Sequence, residues 1–97
     1  MKALEEIKSI INQHRDVLAD KYGVAVVAVF GSYVRNEQKR ESDIDLLAEI
    51  LRPISLLELA GAEIYLGEIL GAKVDLVPKR SVREELKATI LEEAIAL

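Results

Sequence analysis

The first twenty residues place apolar side chains at the three- and four-residue steps that form one face of an amphipathic helix. The residues that follow this spacing are Leu4, Ile7, Ile11, Val17 and Leu18. We therefore predict a helix over residues 3–20, followed by a C-terminal cap at Gly23. His14 lies on the same stripe, where a single histidine is more often a half-buried packing residue than a ligand, and it is assigned no role.

Three further stretches have the pattern of short strands. Residues 24–30 are continuously apolar, which indicates a strand that is covered on both faces. Residues 43–50 alternate between apolar and polar positions well enough for a second strand. A third strand is predicted over residues 73–77, and Pro78 ends it.

Helices are predicted between and after these strands. Residues 32–38 can form two helical turns. Ser55 and Glu58 have the spacing of a capping box, which indicates a helix over residues 56–70 that Gly71 closes. The apolar side of that helix is predicted to carry Leu56, Leu59, Ala60, Glu63, Leu66, Ile69 and Leu70.

A last helix is predicted to begin at the cap Ser81, with Glu84 three residues on, and to reach about Ala94. The element order is then αβαβαβα, with a short second helix. This order predicts an α/β (α+β) fold in which a small three-stranded mixed sheet is flanked by about four helices.

Composition and charge exclude several classes of function. The 97 residues suit one domain, 1–97. A net charge of -4 without a basic run argues against binding to duplex nucleic acid. The absence of cysteine excludes disulfides and thiolate chemistry. No apolar stretch approaches the roughly 20 residues of a membrane span, and no signal peptide is visible, so a cytoplasmic protein is expected.

The residues between the first two strands carry the candidate chemistry. Gly31 allows a sharp turn and close approach of a ligand, and Ser32 can cap a short helix whose N–H groups face an anion. Asp43 and Asp45 are two residues apart, so a strand presents both carboxylates on one face. A phosphate cradle beside hard oxygen ligands suits a magnesium-bound nucleotide. If these groups share one site, the first two strands must be antiparallel.

Asp75 supplies a third carboxylate, in the middle of a strand where aspartate is uncommon. If the third strand lies beside the second, Asp75 can project from the face that carries Asp43 and Asp45. Three convergent carboxylates repel one another unless cations lie among them, and two Mg²⁺ ions would relieve that repulsion.

Each of these features has a structural alternative. Gly–Ser is common in turns, and Asp-x-Asp can be an ordinary solvated strand start. At this fixed spacing, however, the combination favours a catalytic or nucleotide-binding site. Arg35, one helical turn beyond Ser32, can add a phosphate contact or remain a solvated helix charge.

The combination Gly31-Ser32, ten residues, then Asp43-x-Asp45 resembles the signature of the DNA polymerase β-like nucleotidyltransferase superfamily. The sequence around this motif is similar to that of the minimal nucleotidyltransferase (MNT) branch. Residues 73–77 resemble the strand that carries the third acid in this branch. Asn36 stands where the family often has glycine. The resemblance covers nearly the whole chain and implies the nucleotidyltransferase fold.

The resemblance also implies roles for the site residues. Ser32 and the amides after Gly31 would hold the β- and γ-phosphates of a nucleoside triphosphate. Asp43 and Asp45 would ligate two Mg²⁺ ions. Asp75 would hold the second ion near the acceptor hydroxyl or act as its base.

MNT proteins are typically antitoxins paired with HEPN-domain toxins, and some transfer AMP from ATP to a toxin tyrosine. The resemblance thus implies ATP as substrate, a HEPN toxin as partner and a type VII toxin–antitoxin system. Two alternatives remain open at this stage. One is a non-catalytic antitoxin that masks its partner through the apolar stripes of its first and last helices, and the other is a nucleotide sensor that binds ATP without turnover.

Overall fold

The computed structural model describes residues 4–30, 44–81 and 94–97. The helices and strands in these ranges are numbered in chain order. They are α1 (Leu4–Gln13), α2 (Arg15–Tyr22), β1 (Val24–Phe30), β2 (Ile44–Ile50), α3 (Leu56–Leu70), β3 (Val74–Pro78) and β4 (Ile95–Ala96), with a 3₁₀ turn (Lys79–Ser81) after β3.

The strands form one mixed sheet in the order β3-β2-β1-β4. β1 pairs with β2 in the antiparallel sense, as the sequence predicts, and β3 lies parallel to β2 on the other side. The predicted count of three strands is wrong, because residues 95–96 add a fourth strand, antiparallel to β1. A two-residue strand is too short to show the alternation by which strands are recognised in a sequence.

A β-bulge in β1 changes which residues face the core. Val26 pairs with Ala48, but the next pair joins Ala28 to Leu47, so Val27 is the extra residue. A bulge of this kind shifts the side-chain alternation by one position. The Val27 carbonyl accepts a hydrogen bond from the Leu97 N–H at 3.1 Å, which links the bulge to the residue after β4.

The main hydrophobic core lies between one face of this sheet and the three helices. Its buried members are Ile7, Ile11, Leu18, Val24, Val26, Val29, Ile44, Leu46, Ala48, Ala62, Leu66, Leu70, Val74 and Leu76. Leu47 and Ala28 are also buried, but they lie outside this cluster, as expected for positions on the other sheet face. Of the predicted apolar stripe over residues 3–20, Ile7, Ile11 and Leu18 are buried in this core, whereas Val17 is exposed.

The single helix predicted over residues 3–20 is two helices, α1 and α2, separated at His14. The φ of His14 is -111° and its ψ is 11°, outside the α-helical range. Its half-buried ring makes an edge-on contact with Tyr65, and Nδ1 hydrogen-bonds the Tyr65 hydroxyl. The expected packing role of His14 is thus confirmed. Gly23 ends α2 with a φ of 68°, a left-handed conformation that glycine adopts at little cost.

The predicted bounds of α3 are confirmed. The Ser55 side chain accepts a hydrogen bond from the Glu58 N–H, and the Ser55 N–H donates one to the Glu58 carboxylate, so the capping box is complete. The predicted apolar side is wrong at its start, because Leu56 is 86% exposed and Ala60 is also exposed. The helices predicted at 32–38 and after Ser81 fall outside the described residues. Of the helices that are described, none is long and apolar enough to cross a membrane.

Candidate active site

Asp45 and Asp75 lie side by side on two neighbouring strands. Each is the second residue of its strand, and the parallel pairing of β2 and β3 makes them register partners. Register partners point to the same face, and neighbouring strands are about 4.8 Å apart. The residues beside them, Ile44 and Val74, are buried in the core on the opposite face. The two carboxylates therefore share the face away from the main core.

The end of β1 lies against the same position. Phe30, the last residue of β1, is the register partner of Asp45 on its other side. In the sequence, Phe30 immediately precedes the predicted Gly–Ser turn. The inferred antiparallel arrangement of the first two strands is thus confirmed, and it brings the end of β1 and the start of β2 together.

Four of the predicted site residues fall outside the described part of the chain. They are Gly31, Ser32, Arg35 and Asp43. Their assignment to phosphate and metal binding stays a prediction, whereas the predicted proximity of Asp45 and Asp75 is confirmed by the strand register.

The pair of carboxylates suits a hard divalent cation. Mg²⁺ is usually bound by one or two protein carboxylates together with waters and substrate phosphates, and Asp45 and Asp75 supply such oxygen donors from one face. Within ranges 4–30, 44–81 and 94–97, no group of three or more metal-binding side chains is present. The side-by-side placement of Asp45 and Asp75 fits the protein's share of a magnesium site that also uses a nucleotide's phosphates.

A further carboxylate contacts the outer edge of β3. Glu63 of α3 accepts a hydrogen bond through Oε2 from the Leu76 N–H at 2.9 Å, in a partly buried position. Leu76 follows Asp75 directly, so this bond is made by the peptide group next to the candidate ligand. The sequence shows Glu63 as the one acid on the predicted apolar side of α3, but nothing in the spacing indicates its bond to β3.

A pocket of about 300 Å³ lies at the other end of β2 and β3. It is lined by Glu49, Ile50, Lys79 and Arg80. Four residues along a strand span roughly 13 Å, so Glu49 is too distant from Asp45 to share a metal ion with it. The pocket is therefore separate from the pair of aspartates.

Sequence comparison places the chain among nucleotidyltransferases. The family model described as a nucleotidyltransferase domain matches residues 11–97. The protein adenylyltransferase MntA of Thermococcus cleftensis is 43% identical over 95 residues, a match that covers 98% of this chain and 96% of that protein.

Two solved structures have a similar fold. A candidate minimal nucleotidyltransferase superposes with a TM-score of 0.81 at 33% identity, and the match covers 99% of this chain and 97% of the other. A chain from a toxin–antitoxin complex with AMP-PNP superposes with a TM-score of 0.73 at 26% identity, covering 93% and 70% of the two chains. The described four-stranded mixed sheet, with α1, α2 and α3 packed on one face, is thus the nucleotidyltransferase fold that the sequence motif predicts.

Proposed function

Because the chain belongs to the nucleotidyltransferase domain family, we propose that it is a protein adenylyltransferase that moves AMP from ATP to a tyrosine hydroxyl of a HEPN-domain toxin. It then acts as the antitoxin of a type VII toxin–antitoxin pair in the cytoplasm. The similarity to MntA supports the reaction, and the toxin–antitoxin complex that holds AMP-PNP supports the nucleotide and the kind of partner.

The observation that carries this proposal is the register of Asp45 with Asp75 beside the end of β1. In the transfer, the acceptor oxygen forms a bond to the α-phosphorus of ATP, the bond from that phosphorus to the bridging oxygen breaks, and pyrophosphate leaves. We assign Asp43 and Asp45 to metal binding, and Asp75 to the second metal or to the acceptor proton.

Two bound Mg²⁺ ions would supply charge neutralisation across the triphosphate and lower the pKa of the attacking hydroxyl. The backbone amides after Gly31, with Ser32 and Arg35, are assigned to the β- and γ-phosphates. Residues 1–97 then constitute a single minimal nucleotidyltransferase domain that receives the acceptor from its partner.

The test is transfer of label from radiolabelled ATP to the toxin encoded beside this chain, in the presence of MgCl₂. We expect the toxin to be labelled by the wild-type chain and labelling to fall by more than about 100-fold in Asp45→Asn, because a metal ligand is lost. Asp20→Asn makes the same chemical change on the exposed surface of α2 and serves as the control. An unlabelled toxin, or normal labelling by Asp45→Asn, would contradict the proposal.

A second candidate function is neutralisation of the toxin by contact alone. It is favoured by the start of α3, where Leu56 is 86% and Leu57 is 83% exposed, an unusual position for two large apolar side chains. Co-expression of the toxin with the double variant Asp45→Asn/Asp75→Asn separates the two functions. Full protection by this variant would indicate contact alone, whereas loss of protection would indicate transfer.

Measurement of pyrophosphate release in the presence of the toxin distinguishes the proposed transferase from a nucleotide sensor. A chain that binds ATP but releases no pyrophosphate when the toxin is present would be a sensor rather than a transferase. The proposed transferase releases one pyrophosphate for each AMP attached to the toxin.

A further inference from the structure

The edge strand that carries Asp75 is held on its outer side by a side chain from a helix. β3 is at one end of the described sheet, so alternate N–H groups along it point away from β2. The bond from the Leu76 N–H to Glu63 Oε2, 2.9 Å long, satisfies one of these groups. A carboxylate acceptor makes this bond stronger than a neutral acceptor would.

The direction of the neighbouring peptide groups follows from the strand pairing. The Lys73 carbonyl accepts a hydrogen bond from the Ile44 N–H at 2.9 Å, so it points toward β2. Two residues later the Asp75 carbonyl points the same way, and the Leu76 N–H of the same peptide group points outward to Glu63. The planar peptide group that joins Asp75 to Leu76 is therefore held between β2 and α3.

The position of Glu63 is set by the packing of α3 on the core. Glu63 lies in α3 between the fully buried residues Ala62 and Leu66, which anchor the helix to the core. From this partly buried position the Glu63 carboxylate accepts its hydrogen bond from the Leu76 N–H. The core thus sets the position of Glu63, and Glu63 sets the position of the peptide group after Asp75.

We infer that Glu63 is a positioning residue for the transfer reaction, because it orients Asp75 through the Asp75–Leu76 peptide group. This inference rests on the proposed function, in which Asp75 acts at the second metal or on the acceptor proton. Ligands of this kind must be held to within about 0.5 Å of their working geometry, and an exposed edge strand alone does not provide such rigidity.

The test uses three substitutions at Glu63 in the full chain. Glu63→Ala removes the acceptor, Glu63→Asp keeps the charge but shortens the side chain, and Glu63→Gln keeps an oxygen at the same reach. Glu68→Ala removes a glutamate from an exposed position of the same helix and is the matched control. Thermal unfolding by circular dichroism establishes that each variant is folded at the assay temperature.

The first readout is binding of Mn²⁺ in the presence of AMP-PNP, measured by electron paramagnetic resonance of the free ion. We expect Glu63→Ala and Glu63→Asp to weaken Mn²⁺ binding by about 10–100-fold, the usual effect of losing a group that orients a metal ligand. Glu63→Gln should restore most of the affinity, and Glu68→Ala should bind like the wild-type chain. In the labelling assay, kcat should fall in the same order, with a smaller change in the KM for ATP.

Folded Glu63→Ala and Glu63→Asp variants that bind Mn²⁺ as the wild-type chain does would overturn the inference, because Glu63 would then only cover the strand edge. If Glu63→Ala does not fold, Glu63→Asp and Glu63→Gln decide the question by the same titration. A wild-type chain that binds Mn²⁺ and AMP-PNP but labels no toxin would overturn the proposed function instead, and the order of affinities among the variants would still test Glu63.

Discussion

Asp45 and Asp75 are register partners on two parallel strands, each one position after the start of its strand. Two like charges at paired positions destabilise a sheet, by roughly 0.2–1 kcal/mol relative to a neutral pair. A cation bound between the two carboxylates would replace their mutual repulsion with attraction. The free energy of unfolding should therefore report cation binding at these two aspartates, without any need for the toxin.

We predict that Asp75→Asn raises the free energy of unfolding in EDTA by roughly 0.2–1 kcal/mol, because the like-charge pair is removed. Mg²⁺ with AMP-PNP should stabilise the wild-type chain, since a ligand that binds only the folded state shifts the unfolding equilibrium. This increment should be smaller in Asp75→Asn. Urea unfolding followed by circular dichroism measures both effects, and an equal increment in the two proteins would exclude Asp75 from the binding site.

The two glycine caps give a matched pair of substitutions. Gly23 and Gly71 have φ values of 68° and 66°, so alanine at either position is strained by roughly 1–2 kcal/mol. At Gly23 the added Cβ would also lie 2.6 Å from Nη1 of Arg52 and 2.8 Å from Cγ2 of Ile54, whereas at Gly71 it would meet nothing within 4 Å. Gly23→Ala should therefore be the more destabilising change in urea unfolding.

The side chain displaced by Gly23→Ala has a structural role. Arg52 donates from Nη2 to the carbonyls of Asp20 and Lys21, at 3.1 and 3.4 Å, where the end of α2 leaves acceptors without helical partners. Equal losses of stability at Gly23 and Gly71 would show that Arg52 moves aside without cost.

Loss of the cap on α3 should be measurable. Ser55→Ala removes the hydroxyl that accepts the Glu58 N–H at 3.1 Å, and we expect the free energy of unfolding to fall by about 1 kcal/mol. Ser9→Ala, at an exposed position inside α1, is the control and should be neutral or slightly stabilising because alanine is the better helix former. A similar result for both variants would mean that α3 does not depend on its capping box.

The two faces of α3 should respond differently to truncation. Leu66 is fully buried, so Leu66→Ala should lower the free energy of unfolding by roughly 2–5 kcal/mol. Leu56 is 86% exposed, and Leu56→Ala should change the free energy of unfolding by less than about 0.5 kcal/mol. If Leu56→Ala also leaves transfer unchanged but weakens binding to the toxin, measured by titration calorimetry, this surface contacts the partner.

The sequence predicts those features that depend on local signals. The bounds of β1 and α3 agree with prediction because a valine-rich run and a capping box mark them directly. The antiparallel pairing of β1 and β2 follows from chemistry, because the groups at the end of one strand and the start of the next can share a site only in that arrangement.

Other features depend on contacts that are distant in sequence. The bulge at Val27 leaves no trace in a run where every residue is apolar, and the separation of α1 from α2 occurs at His14 without glycine or proline. The contact of Glu63 with the Leu76 N–H is set by the packing of α3 on the core. For Gly31, Ser32, Arg35 and Asp43 the sequence remains the basis of the assignment.

The bulge at Val27 makes the length of β1 more important than its composition. Substitution of one aliphatic residue by another would preserve the strand, since both faces accept such side chains. Insertion of a further residue between Val27 and Phe30 would reverse the orientation of every later position in β1, so that Phe30 would turn toward the helices instead of sharing a face with Asp45. Deletion of Val27 would only restore a regular ladder in which Phe30 still pairs with Asp45. Relatives of this chain should therefore tolerate many substitutions in β1, and loss of the bulge, but almost no insertions after it.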